Sequence, residues 1–399
     1  MTTLSTATPL CPHFGSCGGC QYQNLAYPDQ LQLKRARLED LLHEAGVSAP
    51  AITLHAAEPY HYRNRIRLRI ENINGLRLGY NLSSTTDFLP ITICPIAAPV
   101  LWSTAQSLLR AAATNRDAAY WLGAAAEVEL FTSHDLSRVQ ITLFCAPRTK
   151  VPPPGQPGHF ANAFTAFQAN APHIIGVAAA AFDPRTGPTG RTLAEAGAPG
   201  LNYTVAVPSQ ASETYWISRG GFFQINRFLV ETLVQLVSTK AGDQPRSGTL
   251  AWDLFAGVGL FSRVLARNFH RITAVEANPT AAADLRSALS KLSPNSLAIQ
   301  STTLDFLHRA HLDRDRPDLI VLDPPRAGAG LEVCALLNRI AAPTLVYVSC
   351  DPTTLVRDLV ALQPSYRIIA LHLVDLFPQT FHLETVAILE LRQPKLPQA

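Results

Sequence analysis

The chain has 399 residues, room for two domains that each bury a core. Apolar residues make up 47% and charged residues 16%, an ordinary globular composition, and no apolar run reaches the roughly 18 residues of a membrane span. A net charge of +3 is too small to mark a nucleic-acid partner by itself, so the placement of the basic residues decides.

Met1 to Leu10 is polar and lacks the basic-then-apolar layout of a signal peptide, which points to a cytoplasmic protein. In that compartment seven cysteines argue against a disulfide framework. Three of them form Cys11-x5-Cys17-x2-Cys20, in a turn with Gly15, Gly18 and Gly19. Soft thiolates this close together bind zinc or an iron–sulfur cluster, and spacing does not choose between the two. Cys94, in Ile93-Cys94-Pro95, is the natural fourth ligand, whereas Cys145 and Cys334 sit in apolar runs and read as core.

A helical pattern over Leu31 to Ala45 leads to strand-like runs, Ile66 to Leu78 and Val128 to Phe144. At the first of these, Arg63, Arg65, Arg67 and Arg69 alternate with Asn64, Ile66, Leu68 and Ile70. Residues two apart on a strand share a face, so the guanidinium groups line one side while the other packs inward. Such a row suits the phosphates of a nucleic-acid backbone. The plainer reading is a solvated face, or partners for Glu58 and Glu71. Pro152 to Gly158 and Asp183 to Gly200 read as long loops. Residues 1–215 are therefore expected to form a mostly β domain with a cysteine-cluster segment.

From about residue 216 the pattern changes. A helix is expected over Arg227 to Ser238. Short apolar runs then follow at Leu250 to Phe255, Ile272 to Val275, Leu319 to Leu322 and Thr344 to Val348, with helical segments between them. This predicts an α/β, doubly wound, Rossmann-like domain over 216–399, with ligands at the carboxyl ends of its strands. Gly257-Val-Gly259 follows the first run, although position 262 is Ser where a dinucleotide fingerprint has its third glycine. Glu276 ends the next strand and is placed to accept ribose hydroxyls, which favours an adenosine cofactor, NAD or S-adenosylmethionine.

Asp323-Pro-Pro-Arg326 follows the Leu319 to Leu322 strand. It is similar to the Asp-Pro-Pro-aromatic signature of amino-methyltransferases, with Arg326 in place of the ring. Cys350 ends the next strand, and Glu384 lies in the strand-like run Thr380 to Leu391. A thiolate, an acid and a carboxylate base suit methylation at C5 of a pyrimidine. Thiolate addition at C6 makes C5 nucleophilic, and a base must then take the C5 proton so that the thiol can leave. His382-Leu-Glu384 also fits the H-x-E of zinc deaminases, but no Pro-Cys-x-x-Cys follows it.

Taken in order, these motifs resemble the RNA 5-methyluridine (uracil-C5) methyltransferase family, in particular its iron–sulfur members that modify 23S ribosomal RNA. The likeness covers nearly the whole chain. It rests on Cys11-Pro-His-Phe-Gly-Ser-Cys17-Gly-Gly-Cys20-Gln, Tyr62-Arg-Asn-Arg65, Cys94-Pro, Phe222-Phe-Gln224-Ile-Asn226, Asp253 to Gly259, Asp323 to Gly328, Ser349-Cys350-Asp-Pro and His382-Leu-Glu384.

The resemblance implies that Cys11, Cys17, Cys20 and Cys94 hold a [4Fe-4S] cluster. It implies that Gln224, Phe255, Leu260 and Glu276 line an S-adenosylmethionine pocket around Gly257 and Gly259, with Asp323 near both the cofactor and the target uracil. Cys350 would be the nucleophile and Glu384 the base. Many ribosomal members carry a β-barrel before the cysteines; this chain has ten residues there and resembles a shorter subfamily in layout. Where relatives often have Asp or Asn against the cofactor, this chain has Thr303, with Asp305 nearby.

The expectation is a monomer acting on RNA, 23S ribosomal RNA in particular, with no membrane and no protein partner. The rivals are a transfer-RNA uracil-C5 methyltransferase, whose relatives usually lack the cysteine cluster, and an iron–sulfur NAD-dependent oxidoreductase, which would need a complete dinucleotide fingerprint.

Overall fold

The computed structural model describes residues 4–183, 187–207, 211–240 and 242–393. After the cysteine-bearing loop come α1 (Tyr27–Glu44) and β1 (Ile52–His55). There follow β2 (Arg65–Asn72), β3 (Leu76–Asn81), β4 (Phe88–Pro90), α2 (Pro99–Thr114), α3 (Arg116–Ala124), β5 (Ala125–Thr132) and β6 (Val139–Cys145). Then come α4 (Phe160–Asn170), β7 (Ile174–Asp183) and β8 (Gly187–Gly197).

Strands β2 to β8 form one sheet in the order β4-β3-β2-β5-β6-β7-β8, with only β6 and β7 parallel. The period-two pattern of β2 is realised: Ile66 and Leu68 are buried while the arginines between them keep partial exposure. Two features depart from the sequence reading. Helices α2, α3 and α4 contribute Leu101, Leu108, Trp121 and Phe167 to the core under this sheet, so the β part also carries a helical layer. Asp183 to Gly200, expected as a loop, is largely β8, paired antiparallel with β7; residues 184–186 lie outside those described. An edge strand tolerates the glycines and proline that disguised it.

The chain continues through a hairpin of β9 (Gly200–Val205) and β10 (Glu213–Ser218), then α5 (Val230–Ser238), β11 (Gly248–Leu254), α6 (Leu260–Leu265) and β12 (Phe269–Glu276). The remainder is α7 (Pro279–Leu292), β13 (Leu297–Gln300), α8 (Thr303–Leu312), β14 (Leu319–Leu322), α9 (Leu331–Ile340), β15 (Thr344–Ser349), α10 (Pro352–Leu362), β16 (Tyr366–Val374) and β17 (Glu384–Leu391).

The second sheet runs β1-β16-β17-β15-β14-β11-β12-β13 and is parallel except for β17, which is antiparallel to both its neighbours. Along β11, Leu250, Trp252 and Leu254 pack with α1, α8, α9 and α10. Ala251 faces the other way, toward the β9–β10 hairpin and α5 to α7. Both faces are thus covered, as a parallel sheet requires. The strand order reverses between β11 and β14, so the loops after them part and leave a cleft at their carboxyl ends.

The expected division at 215/216 falls inside β10, and β1 from the N-terminal part pairs with β16 at the edge of the second sheet. Residues 1–215 therefore do not coincide with one sheet. Among the described residues, no helix is long and apolar enough to cross a membrane.

Candidate active site

The loop after β11 is shaped by positive backbone angles: φ is 62° at Phe255, 56° at Gly257 and 88° at Gly259. Phe255 has a Cβ, so holding it there costs about 1 kcal/mol, a strain typical of ligand-contacting loops. Glu276 ties this loop to the next: its carboxylate accepts from Gly257 N at 2.8 Å and Asn278 N at 2.6 Å. Each oxygen keeps lone-pair capacity for a ribose hydroxyl. The space beside Gly257 is open, with no atom within 4 Å of where a Cβ would stand.

Asp253, fully buried beneath the loop, accepts from Ser262 N at 2.9 Å and from Ser262 Oγ. Its other oxygen is buried with no partner. Burial pushes the Asp253 carboxyl up to about 7. Ser262, read from sequence only as a missing glycine, is therefore the anchor of a buried acid.

Strand β17 brings the chemistry together. Its register with β15 sets Thr385 opposite Ser349, so Cys350 and Glu384, one residue beyond each, come level at the cleft. Asp323 follows β14 and accepts from Gln224 Nε2 at 3.3 Å. Desolvation and the nearby Asp253 charge push Asp323 up to about 7. Glu384, 3% exposed, is held well above the usual carboxylate range by burial and by Asp323. The Cys350 thiol is pushed up to about 11 by burial, then by Glu384 and Asp323, with Arg326 opposing. Arg326 Nη2 lies 3.5 Å from His382 Nε2, and burial together with Arg326 pushes His382 down to about 4, leaving it neutral at pH 7. The cleft thus gathers a thiol and three acids around very little positive charge.

Cys11, Cys17, Cys20 and Cys94 all line one cavity of about 270 Å³, shared with Arg63 and Tyr80. The thiols are free, and among the described residues no three or more Cys, His, Asp or Glu side chains are grouped as ligands of a metal ion. Burial pushes Cys20 up to about 11, with Cys94 and Cys17 adding to it and Arg63 opposing. Arg63 faces this cavity, and its buried Nε has no partner. A soft, anion-forming donor set beside an unpaired guanidinium nitrogen fits a thiolate-bound group of net negative charge.

The other stripe arginines have partners inside the fold. Arg65 sits 3.5 Å from Glu129, donates to Gly221 O at 2.8 Å and lies 4.2 Å over the Phe131 ring. Arg67 pairs with Glu127 and lies 3.9 Å over Phe144. Arg69 donates to Asn81 Oδ1 at 2.7 Å and Thr86 O at 2.6 Å. Glu71, weighed as a stripe partner, pairs with Arg77 instead. Glu127 and Glu129 alternate along β5 as the arginines do along β2, a complementary pattern that was visible in the sequence.

Thr303 is buried in the first turn of α8, and Asp305 is engaged with the Thr302 cap, so Asp305 serves the helix start. Sequence reasoning also missed Lys34 and Asp375, a buried ion pair at 2.6 Å between α1 and the segment after β16. No local pattern links residues so far apart.

A family model described as tRNA (Uracil-5-)-methyltransferase matches residues 204–392. The 23S rRNA (uracil(1939)-C(5))-methyltransferase of Chromohalobacter salexigens is 30% identical over 397 residues, covering 99% of this chain and 78% of that protein. The enzyme of the same name from a Shewanella species is 30% identical over 415 residues, covering 96% and 82%. Among solved structures, the Pyrococcus abyssi tRNA (uracil-54, C5)-methyltransferase in complex with S-adenosyl-L-homocysteine superposes with a TM-score of 0.70 at 22% identity, covering 94% of this chain and 86% of that one. At that identity the superposition speaks for the fold. By its similarity to full-length relatives, the chain belongs to the RNA uracil-C5 methyltransferase family.

Proposed function

We propose that this protein methylates C5 of a uridine in 23S ribosomal RNA, using S-adenosylmethionine and a covalent Cys350–uracil adduct. The observation that carries the reading is Cys350 and Glu384 level with each other across β15 and β17, with Asp323 at the neighbouring strand end. The ribosomal target is supported by the 23S rRNA enzymes that match this chain nearly end to end.

Bound S-adenosylmethionine would supply an electrophilic methyl group on a cationic sulfur. Glu276 and the open backbone at Gly257 would hold its ribose side, with Phe255, Gly259, Leu260 and Gln224 around it. The partnerless Asp253 oxygen and the raised acids beside it fit a positively charged guest.

In the reaction, the Cys350 sulfur bonds to C6 of a flipped-out uracil, and the ring electrons move to C5 and O4. The sulfur reacts as thiolate, its proton passing to solvent water as the bond forms, because so little thiolate exists at rest. Once C5 carries its methyl group, Glu384 takes the C5 proton. The C6–S bond then breaks and its electrons return to sulfur, restoring thiolate and aromatic-like ring. Burial and Asp323 hold Glu384 well above the usual carboxylate range, so a cationic guest beside it would favour the ionised form that acts as the base.

Cys11, Cys17, Cys20 and Cys94 would hold the [4Fe-4S] cluster, cross-linking the N-terminal loop to the segment after β4. In this reading residues 1–215 are the RNA- and cluster-bearing part and residues 216–399 the catalytic part, with β1 lent to the catalytic sheet.

The test is methyl transfer from labelled S-adenosylmethionine to total RNA lacking this modification, comparing wild type with Cys350→Ala. Label in 5-methyluridine of large-subunit RNA, absent with the variant, is the expected result. Label confined to transfer RNA would overturn the ribosomal target, and no label in any RNA would overturn the function.

A further inference from the structure

The segment between β16 and β17 leads directly into His382 and Glu384; Asp375 N still donates to His55 O of β1 at 2.9 Å, and the residues after it lie outside the strand pairings. Even so, five consecutive carbonyls in it are occupied. Asn226 Nδ2 donates to Asp375 O at 3.4 Å and Leu376 O at 3.2 Å. Lys34 Nζ donates to Phe377 O at 2.9 Å and Tyr62 Oη to Pro378 O at 3.1 Å. Gln379 O accepts from the backbone N–H groups of Gln21 and Tyr22, at 2.9 and 3.0 Å, immediately after Cys20.

Side chains of α1 complete the grip. Lys34 Nζ pairs with Asp375 Oδ1 at 2.6 Å, and Tyr27 Oη donates to Asp375 Oδ2 at 2.8 Å. Gln30 and Gln379 bond reciprocally: Nε2 of Gln30 donates to Oε1 of Gln379, and N of Gln379 donates to Oε1 of Gln30, both at 3.0 Å. Gln30, Lys34 and Asp375 are at most 1% exposed and Gln379 is 2% exposed. Gln379 is also held at φ 68°, a left-handed conformation that needs support from its surroundings.

We propose that Gln30 and Lys34 are positioning residues for proton removal: they clamp 375–380 so that Glu384 faces Cys350. Through Gln21 and Tyr22 the same clamp ties the base to the cysteine-bearing loop. The proposal rests on Glu384 acting as the base. Adduct formation needs Cys350 and not Glu384, so a loosened clamp slows elimination more than addition.

The experiment follows both steps on large-subunit RNA tritiated at uridine C5, measuring tritium release and the covalent protein–RNA adduct on denaturing gels. Gln30→Leu and the charge-neutral double variant Lys34→Met/Asp375→Asn should release tritium slower by roughly 10²-fold, the scale of a 1 Å misplacement, while methylated adduct accumulates. Lys34→Arg, which keeps the charge, should recover much of the rate. Melting curves and S-adenosylhomocysteine binding establish that each variant is folded. The proposal is overturned if either folded variant releases tritium at the wild-type rate, or loses adduct and release together. Glu384→Gln is run alongside: if it fails to trap adduct, it is the base assignment that falls.

Discussion

The ionisation of Cys350 is the most exposed point of the mechanism. With its thiol pushed up to about 11, roughly one molecule in 3,000 carries a thiolate near pH 7.5, against about one in 30 for a thiol at its ordinary value. The hundredfold deficit is offset in part because a more basic thiolate is a better nucleophile. With a Brønsted slope of about 0.4–0.5, two pKa units return nearly tenfold. Alkylation of Cys350 by iodoacetamide, followed by peptide mass analysis to separate it from the other cysteines, should therefore run about tenfold slower than for a free thiol. Its pH midpoint should lie near 11.

Asp323→Asn supplies the sign. The Asp323 charge raises the thiol, so its removal lowers the midpoint and speeds alkylation. Asp323 itself titrates near 7 and is already neutral below that, so the variant should outpace wild type only as pH rises through about 7. Steric shielding would slow alkylation without moving the midpoint or creating this window. A wild-type midpoint near 9, or superimposed curves for wild type and variant above pH 7, would refute the reasoning.

Gly257→Ala meets no atom within 4 Å, so only its positive φ acts against it, about 1 kcal/mol; cofactor affinity should fall far more than melting temperature. Gly259→Ala reverses the ranking, because its Cβ would stand 2.6 Å from Leu285 Cδ1. Calorimetry in buffers of different ionisation enthalpy should find proton release on binding S-adenosylmethionine near pH 7, and less with S-adenosylhomocysteine, whose thioether sulfur carries no charge. The direction follows from Asp253 and Asp323, both raised to about 7, which a bound cation draws back toward ionisation; equal release from both ligands would speak against this. Arg65→Ala and Arg67→Ala should lower stability and leave the slope of log K for RNA binding against log salt unchanged, because their charge is neutralised within the fold. A slope reduced by about one per arginine would return them to the phosphate backbone.

Legibility followed the range of the determining interaction. Leu319 to Leu322 was readable as a strand because four apolar residues bounded by turns leave little choice, and Gly257 and Gly259 marked the loop because their backbone angles demand glycine. The C-terminal half could be read as doubly wound from its alternation of short apolar runs and helices. Edge strand β8 could not, since its glycines, proline and polar residues look like loop and only pairing with β7 makes them strand. The arginine alternation was plain, but its meaning lay in Glu127 and Glu129 on another strand. Pairing of β1 with β16 joins segments some 300 residues apart, which no local pattern encodes.

The single antiparallel strand explains why the N-terminal segment is drawn into the second sheet. Ligands gather at the carboxyl ends of parallel strands, where Asp323 and Cys350 stand. A base on a further parallel strand would also have to come from a carboxyl end. Because β17 runs the opposite way, its first residue, Glu384, reaches the same edge and comes level with Cys350. The cost of this arrangement is that Glu384 depends on the chain leading into β17, which past Asp375 has turned out of β16 and lies outside the strand pairings. Carbonyls left there unpaired and buried would each cost about 1–3 kcal/mol. α1, Tyr62 and Asn226 supply the missing donors. The need to satisfy that backbone thus accounts for the long-range contacts that local sequence reading could not foresee, and it sets them directly behind the base.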